Sequence, residues 1–185
     1  MSTQPISSSK PTTNSSKDSS KERHLLLIPE RIKFIKKSDS KKRVFDILSE
    51  LLTSGQKNVS KNEIFDALIA REKLGNTVLG NGIAIPRASI NITRPRAALV
   101  FLKKGIHLNS PDRKPTHLFL ALLLPENECD KYTKMIQKIN LTLAKQSIIE
   151  DISEHKNPQL LIDFFDTLFT TEKKNKQNKQ KKVIS

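Results

Sequence analysis

Apolar positions in the first part of the central region recur with the period of an α-helix, in two successive segments. The first segment ends before Gly55, a residue type that commonly stops a helix. The second begins after Ser60, which precedes Glu63 at capping-box spacing, and runs to about Leu74, before Gly75. The two predicted apolar stripes consist of Val44, Ile47, Leu48, Leu51 and Leu52, and of Ile64, Phe65, Leu68 and Ile69.

Short continuous apolar runs follow. Ile83 to Ile85 is one such run and is ended by Pro86, and two longer runs, over 97–102 and 117–124, predict buried strands. The last third returns to helical spacing in three segments. Their apolar positions are Met135, Ile136, Ile139 and Leu143, then Ile148, Ile149 and Ile152, then Leu160, Leu161, Phe164, Phe165 and Leu168. The order predicts an α/β fold, with a small mixed β-sheet sandwiched between helical layers.

The segment between the second predicted helix and the apolar run at 83–85 differs from both in composition. Gly75, Gly80 and Gly82 are three of only five glycines in the chain, and Asn76 and Asn81 lie among them. This composition predicts a tight, irregular loop in which the backbone comes close to another group.

Composition bounds the organisation of the chain. It has 185 residues and a formal net charge of +14. The first 20 residues contain eleven Ser or Thr, and residues 172–185 contain six lysines and one glutamate. Neither end has enough apolar surface to offset the entropy of ordering it. We therefore expect disordered tails over 1–24 and 172–185, serving solubility or electrostatic attachment, and one folded domain over 25–171.

Two further features narrow the class of protein. The longest apolar run, Leu118 to Leu124, is seven residues long, which is too short to span a membrane, and no apolar segment precedes Leu25 as in a signal peptide. The single cysteine, Cys129, excludes an intramolecular disulfide and a multi-cysteine zinc site. We expect a cytoplasmic protein without membrane insertion.

The residues alone do not predict an enzyme. The histidines at positions 24, 107, 117 and 155 lack the spacing of a metal pair, and no Walker lysine follows the glycines. We expect no metal and no cofactor. The charge favours a nucleic-acid partner, but the chain has no Trp and one Tyr, so no stacking platform is evident.

The segment from Ile64 to Pro86, IFDALIAREKLGNTVLGNGIAIP, resembles the signature of the nitrogen-regulatory enzyme IIA of the bacterial phosphotransferase system, of the type-2 mannitol/fructose class. Weaker similarity extends over about residues 25–170. The resemblance implies the fold of that class. It also implies a histidine directly after the Ile-Pro pair, which accepts a phosphoryl group from an HPr-type carrier, with a nearby arginine and a second histidine assisting.

The sequence departs from this pattern at both histidines. Arg87 follows Pro86, and the second histidine position falls near Tyr132, whereas Arg71 matches the arginine of the family. A guanidinium is protonated at physiological pH and is a poor nucleophile. We therefore expect no catalytic residue and a cationic anion or regulatory site. Its predicted members are Arg71, Thr77, Gly80, Asn81, Gly82 and Arg87, with Arg94 and Arg96 as further candidates.

The leading hypothesis is a regulatory pseudo-enzyme IIA that binds a protein partner, namely an HPr-type carrier, a transporter or a sensor. One alternative is an active phosphocarrier that uses another histidine, such as His107 or His117. A second is a basic anion or nucleic-acid binder on the same fold, and a third is a decaying paralogue without function. Arg87 also has a plain interpretation as a solvent-exposed loop arginine.

Overall fold

The computed structural model describes residues 26–56, 58–145, 148–155 and 157–170. The helices are α1 (Lys41–Thr53), α2 (Lys61–Lys73), α3 (Cys129–Lys145), α4 (Ile148–His155) and α5 (Pro158–Thr170). The strands are β1 (Ile32–Lys37), β2 (Val78–Gly80), β3 (Ile83–Ala84), β4 (Arg87–Ile90), β5 (Arg96–Ile106) and β6 (Thr116–Pro125). The predicted tails lie outside the described residues, so the domain limits stay a prediction.

Both helices predicted before the glycine loop are confirmed, and each begins at a serine cap. The Ser40 hydroxyl accepts a hydrogen bond from the Arg43 backbone N–H at 3.2 Å, and the Ser60 hydroxyl accepts one from the Glu63 N–H at 3.1 Å. These bonds satisfy amide groups that have no partner inside a first helical turn. The capping-box spacing at Ser60 therefore located the start of α2 correctly.

The six strands form one mixed sheet in the order β1-β5-β6-β3-β2, and β4 also pairs with β6. Strands β5 and β6 are antiparallel, while β1 pairs with β5 and both β3 and β4 pair with β6 in parallel. Strands β3 and β4 lie one after the other along the same side of β6, and Pro86 separates them. The predicted strands at 97–102 and 117–124 are confirmed as parts of β5 and β6, whereas β1, β2, β3 and β4 were not predicted as strands.

Helices cover both faces of the sheet, as predicted. Successive residues of β5 point to opposite sides: Ala98 and Val100 pack with α1 and α2, and Leu99 and Phe101 pack with α3, α4 and α5. The same alternation continues in β6, where no residue from Leu118 to Pro125 is exposed. Among the described residues, no helix has the length and apolar character needed to cross a bilayer.

Candidate functional site

A cleft opens at the edge of the sheet beside β4, between α2 on one face and α3 on the other. Its volume is about 590 Å³. Strand β4 supplies its base, and Leu124 of β6 lies beneath. The lining consists of Ala67, Ala70, Arg71, Leu74, Arg87, Ala88, Ser89, Leu124, Thr133, Ile136, Gln137 and Asn140. We call this space the cleft.

Each helix presents one stripe of residues to the cleft. On α2 and its C-cap the stripe is Ala67, Ala70, Arg71 and Leu74, and on α3 it is Thr133, Ile136, Gln137 and Asn140. Both sets follow the i, i+3, i+4, i+7 spacing of one helix face. The alanines of α2 and Ala88 of β4 are small, which leaves room between the two helices.

Arg87 is the first residue of β4 and pairs in register with Leu122 of β6. The preceding carbonyl, that of Pro86, accepts a hydrogen bond from the Leu122 N–H at 2.8 Å. The backbone at Arg87 is thus fixed by the sheet, and its side chain is half-buried. The interpretation of Arg87 as a solvent-exposed loop arginine is therefore wrong: the chain re-enters the sheet directly after the proline.

Two arginines, Arg71 of α2 and Arg87 of β4, line the cleft together. Burial lowers the pKa of Arg87 below its ordinary value, and the positive charge of Arg71 lowers it further. Arg71 donates from Nη1 to the Gly75 carbonyl at 3.2 Å. Among the described residues, the lining contains no carboxylate and neither arginine forms an ion pair. The cleft therefore carries two positive charges that the described part of the chain leaves uncompensated.

Neutral groups complete the walls. The side chains of Ser89, Thr133, Gln137 and Asn140 are polar, and Asn140 Oδ1 is buried without a hydrogen-bond partner among the described residues. At the rim, Leu74 is 85% exposed, although it is a large apolar side chain. The cleft thus combines cationic, hydrogen-bonding and apolar surface.

The structure does not bring the other predicted site residues into the cleft. Asn81 and Gly82, which join β2 to β3, have φ values of 50° and 74°, as a two-residue Asn-Gly hairpin turn requires. The Asn81 N–H donates to Asp112 Oδ2 at 2.7 Å, and its side-chain amide donates to the Ala144 carbonyl at 2.8 Å. Gly80 also lies against Asp112, so this turn is tied to the β5–β6 loop and to α3.

Thr77 takes part in a separate network at the end of α2. Its hydroxyl donates to Glu72 Oε2 at 2.6 Å and its backbone N–H donates to Glu72 Oε1 at 3.3 Å, while Lys41 pairs with the same carboxylate. We call the segment from Thr77 to Gly82, with its partners Glu72 and Asp112, the clasp. The Asn-Gly pair was the sequence signal for this hairpin, and the prediction of an irregular loop missed it.

Further candidate residues also lie outside the lining. Arg96 donates to the carbonyls of Leu52 and Ser54 at 2.7 and 2.8 Å and so caps the C-terminal end of α1. Tyr132 is half-buried and packs against the apolar cluster, and its neighbour Thr133 faces the cleft instead. The exposed Arg94 is not a lining residue either.

Neither histidine with a described side chain lines the cleft. His107 is exposed, and His117 is half-buried, with Nδ1 at 3.0 Å from the Leu102 carbonyl. A Cβ atom on Gly105 would lie 2.7 Å from His117 Nε2, so the ring is packed closely over that glycine. The side chains of His24 and His155 lie outside the described residues. Within the described ranges, no three His, Cys, Asp or Glu side chains gather as a metal site requires.

Comparison with known proteins agrees with this geometry. Residues 25–167 match the family described as "Phosphoenolpyruvate-dependent sugar phosphotransferase system, EIIA 2". A curated relative, the nitrogen regulatory protein homolog of Haemophilus influenzae, is 35% identical over 102 residues. The match covers 54% of this chain and 62% of the relative, so the chain spans about three fifths of that relative's length.

Solved structures share the fold. The nitrogen regulatory protein IIA-Ntr of Neisseria meningitidis has a TM-score of 0.69 and 28% identity, over 76% of this chain and 96% of that one. Enzyme IIA mannitol of Escherichia coli, solved in complex with phosphorylated enzyme IIB mannitol, has a TM-score of 0.61 and 20% identity, over 76% and 97%. The mixed sheet, its helical layers and the match over residues 25–167 agree: the chain belongs to the EIIA 2 family of the phosphoenolpyruvate-dependent sugar phosphotransferase system.

Proposed function

We propose that this chain is a regulatory member of the EIIA 2 family that binds a protein partner and does not accept a phosphoryl group at the position where the family carries its histidine. The observation that carries the proposal is the position of Arg87. It directly follows Pro86 and lies in the cleft with Arg71, and no histidine is among the described lining residues.

The chemistry of the guanidinium supports this. Attack on phosphorus needs a nitrogen lone pair, and the arginine side chain is protonated and delocalised at any physiological pH. Burial and Arg71 lower the pKa of Arg87. A guanidinium nevertheless keeps its proton in proteins, so the side chain is no nucleophile. A phosphohistidine would place nearly two negative charges in the cleft, whereas Arg87 places one positive charge there. The proposed state is thus closer to the unphosphorylated form of the family.

Two features favour a protein as the partner. The exposed Leu74 at the rim continues the apolar lining formed by Ala67, Ala70 and Ile136, and apolar surface bordered by charged groups marks protein-binding sites. The neighbour enzyme IIA mannitol was solved bound to a phosphorylated protein. The partner classes we propose are an HPr-type carrier, a transporter or a sensor protein. We propose that the chain acts in the cytoplasm.

The test is phosphoryl transfer. The purified chain is incubated with phosphoenolpyruvate, enzyme I and an HPr-type carrier, and its intact mass is measured under alkaline conditions that preserve phosphohistidine. We expect no added phosphate on the native chain and one on Arg87→His. Ser89→His is the matched control, because it places a histidine in the same cleft two residues along β4.

Phosphate on the native chain would overturn the proposal. The acceptor would then be sought with His107→Gln and His117→Gln, the two candidates of the alternative hypothesis. Equal phosphate on Ser89→His and Arg87→His would show that a histidine anywhere in the cleft suffices, so that position 87 has no special role.

A further inference from the structure

We infer that the outer edge of strand β1 (Ile32–Lys37) binds an extended acidic segment of a partner protein, which joins the sheet as a further strand. This surface is separate from the cleft. Strand β1 pairs with β5 and strand β4 pairs with β6, so the two lie on opposite sides of the central pair β5–β6. No residue of β1 is among the described residues that line the cleft, and the proposed function does not depend on this edge.

The first support is an unpaired strand edge. Strand β1 stands at the end of the strand order, and β5 is its single strand neighbour among the described residues. Beyond the bonds to β5, no described group hydrogen-bonds to the main chain of residues 33–37. The outward N–H and C=O groups of such a strand can pair with an extended peptide.

The second support is the charge along this edge. Lys37 and Lys104 are partners in the parallel register, so two like charges are neighbours on one face of the sheet. Like charges directly opposite each other are destabilising, and an acidic strand beside them would relieve this. Within the described ranges, neither Glu30 nor Asp39, which flank β1, forms an ion pair with it. The exposed lysines at this edge, all without a described ion pair, are Lys33, Lys36, Lys37, Lys103 and Lys104.

The order of residues along β1 specifies the partner. Ile35 packs towards α1 and α2, and Phe34 packs on the other face, where its ring centroid lies 6.0 Å from that of Phe101. Phe34 and Ile35 are only half-buried, so an added strand would cover apolar surface in the middle. The same strand would meet Lys33 on one side of this centre and Lys37 on the other. The complementary segment therefore has acidic residues at both ends and apolar residues between them.

Two other occupants fit this edge less well. A second copy of the chain would bring its own β1 lysines against these lysines, and lysines on an edge strand prevent such pairing. A nucleic acid would match the charge, but its phosphates would leave Phe34 and Ile35 uncovered. An acidic strand satisfies the charge, the apolar centre and the open backbone together.

The experiment is an NMR titration of the isotope-labelled full chain at fixed ionic strength. The probe is the capped hexapeptide Glu-Glu-Val-Val-Glu-Glu, whose order reads the same in both directions and so suits parallel and antiparallel pairing. Its neutral twin carries glutamine in place of each glutamate. We expect the acidic peptide to shift the amide signals of β1 and to bind about tenfold more tightly than the twin.

Backbone pairing is tested with two N-methylated forms of the probe. One form carries methyl groups on alternate amides, and the second form carries them on the remaining amides. Because alternate amides of a strand point to opposite edges, only one of the two sets can face β1. We expect one form to lose about tenfold or more in affinity and the other to bind within about twofold of the probe.

Variants test the contribution of the lysines. Lys33→Gln combined with Lys37→Gln should weaken binding of the acidic peptide about fivefold, since two cross-strand charge pairs are lost. The matched control combines Lys73→Gln with Lys134→Gln and removes the same charge from exposed positions on α2 and α3. It should change binding less than about twofold. Folding and self-association of each variant are checked by circular dichroism and light scattering.

A replacement keeps the test decisive if the double variant of β1 misfolds or self-associates. Lys103→Gln combined with Lys104→Gln then takes its place on the neighbouring strand. These two lysines lie one strand away from the added peptide, so we expect a smaller loss of about threefold.

Several results would overturn the inference. Equal binding of the neutral twin would show that the edge does not select acidic segments, and equal effects of the two methylation patterns would exclude pairing along one strand edge. Equal losses in the lysine variant and its control would show nonspecific attraction. A short RNA duplex that shifts the same amides and binds more tightly than the peptide would make this a nucleic-acid surface. No shift of the β1 amides would remove the site altogether.

Discussion

The clasp and the cleft are neighbours in sequence, and their charged groups differ in how they are paired. In the clasp, the Glu72 carboxylate is held by Lys41 and Thr77, and Asp112 accepts the N–H of Asn81. In the cleft, Arg87 makes no side-chain hydrogen bond or ion pair to a described residue. Buried polar groups are normally paired within the fold, so an unpaired charged group such as Arg87 calls for a functional explanation.

The two regions are also mechanically linked. The side-chain amide of Asn81 donates to the Ala144 carbonyl near the end of α3, and α3 supplies one wall of the cleft. The clasp thus fixes the helix that carries Thr133 and Gln137 relative to the sheet. We expect changes in the clasp to act on stability, and changes in the cleft to act on binding.

The largest effect should come from Gly82→Ala. Gly82 has φ of 74°, and a Cβ atom there would lie 3.3 Å from both Ile149 Cγ1 and the Pro115 carbonyl. The strain of a left-handed residue adds to this crowding, so we expect a loss of about 2 to 3 kcal/mol in the free energy of unfolding. Urea denaturation followed by circular dichroism measures it.

Gly75→Ala is the matched control. Gly75 has ordinary backbone geometry, and the nearest heavy atom to an added Cβ is Arg71 Nη1 at 3.9 Å. We expect a change of less than about 0.5 kcal/mol. Equal losses in the two variants would mean that the hairpin turn has no special demand for glycine, and the clasp would lose its structural role.

The sequence analysis placed residues of the clasp and of the cleft in one predicted site. The resemblance to the family runs without a break through Thr77, Gly82 and Pro86, so one contiguous motif suggested one site. The structure places Arg87 in the cleft and Gly82 in the hairpin turn because Pro86 separates two short strands that both pair with β6. A motif conveys which residues occur together along the chain, and it does not convey which side of a strand each one faces.

The fold was more predictable than the site. The helical period before Gly55 and the continuous apolar run of β6 reflect local burial, which sequence patterns report directly. Strand β1 was not predicted because three of its six residues are lysines. It forms by parallel pairing with β5, which is distant in sequence. The α3 residues Gln137 and Asn140, which line the cleft with Arg71, carry no sequence signal, because they are brought there only by the packing of α3.

A smaller effect should follow Thr77→Val. The change keeps the shape of this buried side chain but removes the hydroxyl that donates to Glu72 at 2.6 Å. The carboxylate keeps Lys41 and the Thr77 N–H, so we expect a loss of about 1 kcal/mol in the free energy of unfolding. Thr93→Val, at an exposed position, should change it by less than about 0.5 kcal/mol and serves as the control. A Thr77→Val protein as stable as the native chain would contradict the clasp as a stabilising network.

Arg87→Gln should have almost no effect on stability. The substitution removes a half-buried cation and its repulsion by Arg71, and this gain opposes the packing lost with the longer side chain. We expect the free energy of unfolding to change by less than about 0.5 kcal/mol in either direction, measured by urea denaturation as for the clasp variants. A loss of 2 kcal/mol or more, about that expected for Gly82→Ala, would place Arg87 among the groups that hold the fold.

The stability of the clasp should also depend on pH. The Ser110 hydroxyl and the Asn81 N–H donate to Asp112 and lower the pKa of this carboxyl from 3.8 to about 2. Below about pH 4 the unfolded chain therefore takes up a proton before the folded chain does, so the stabilising contribution of Asp112 is present above that pH and is lost as the pH falls toward about 2. The free energies of unfolding of the native chain and of Asp112→Asn, measured with urea, should differ near pH 6 and converge near pH 2. Asp39 is exposed and takes no part in these hydrogen bonds, so the free energy of unfolding of Asp39→Asn should follow that of the native chain at each pH. If the free energy of unfolding of Asp112→Asn instead ran parallel to that of the native chain at every pH, the charge of Asp112 would contribute nothing to stability. The hydrogen bonds of the turn would then hold the turn to the β5–β6 loop whether or not Asp112 is ionised.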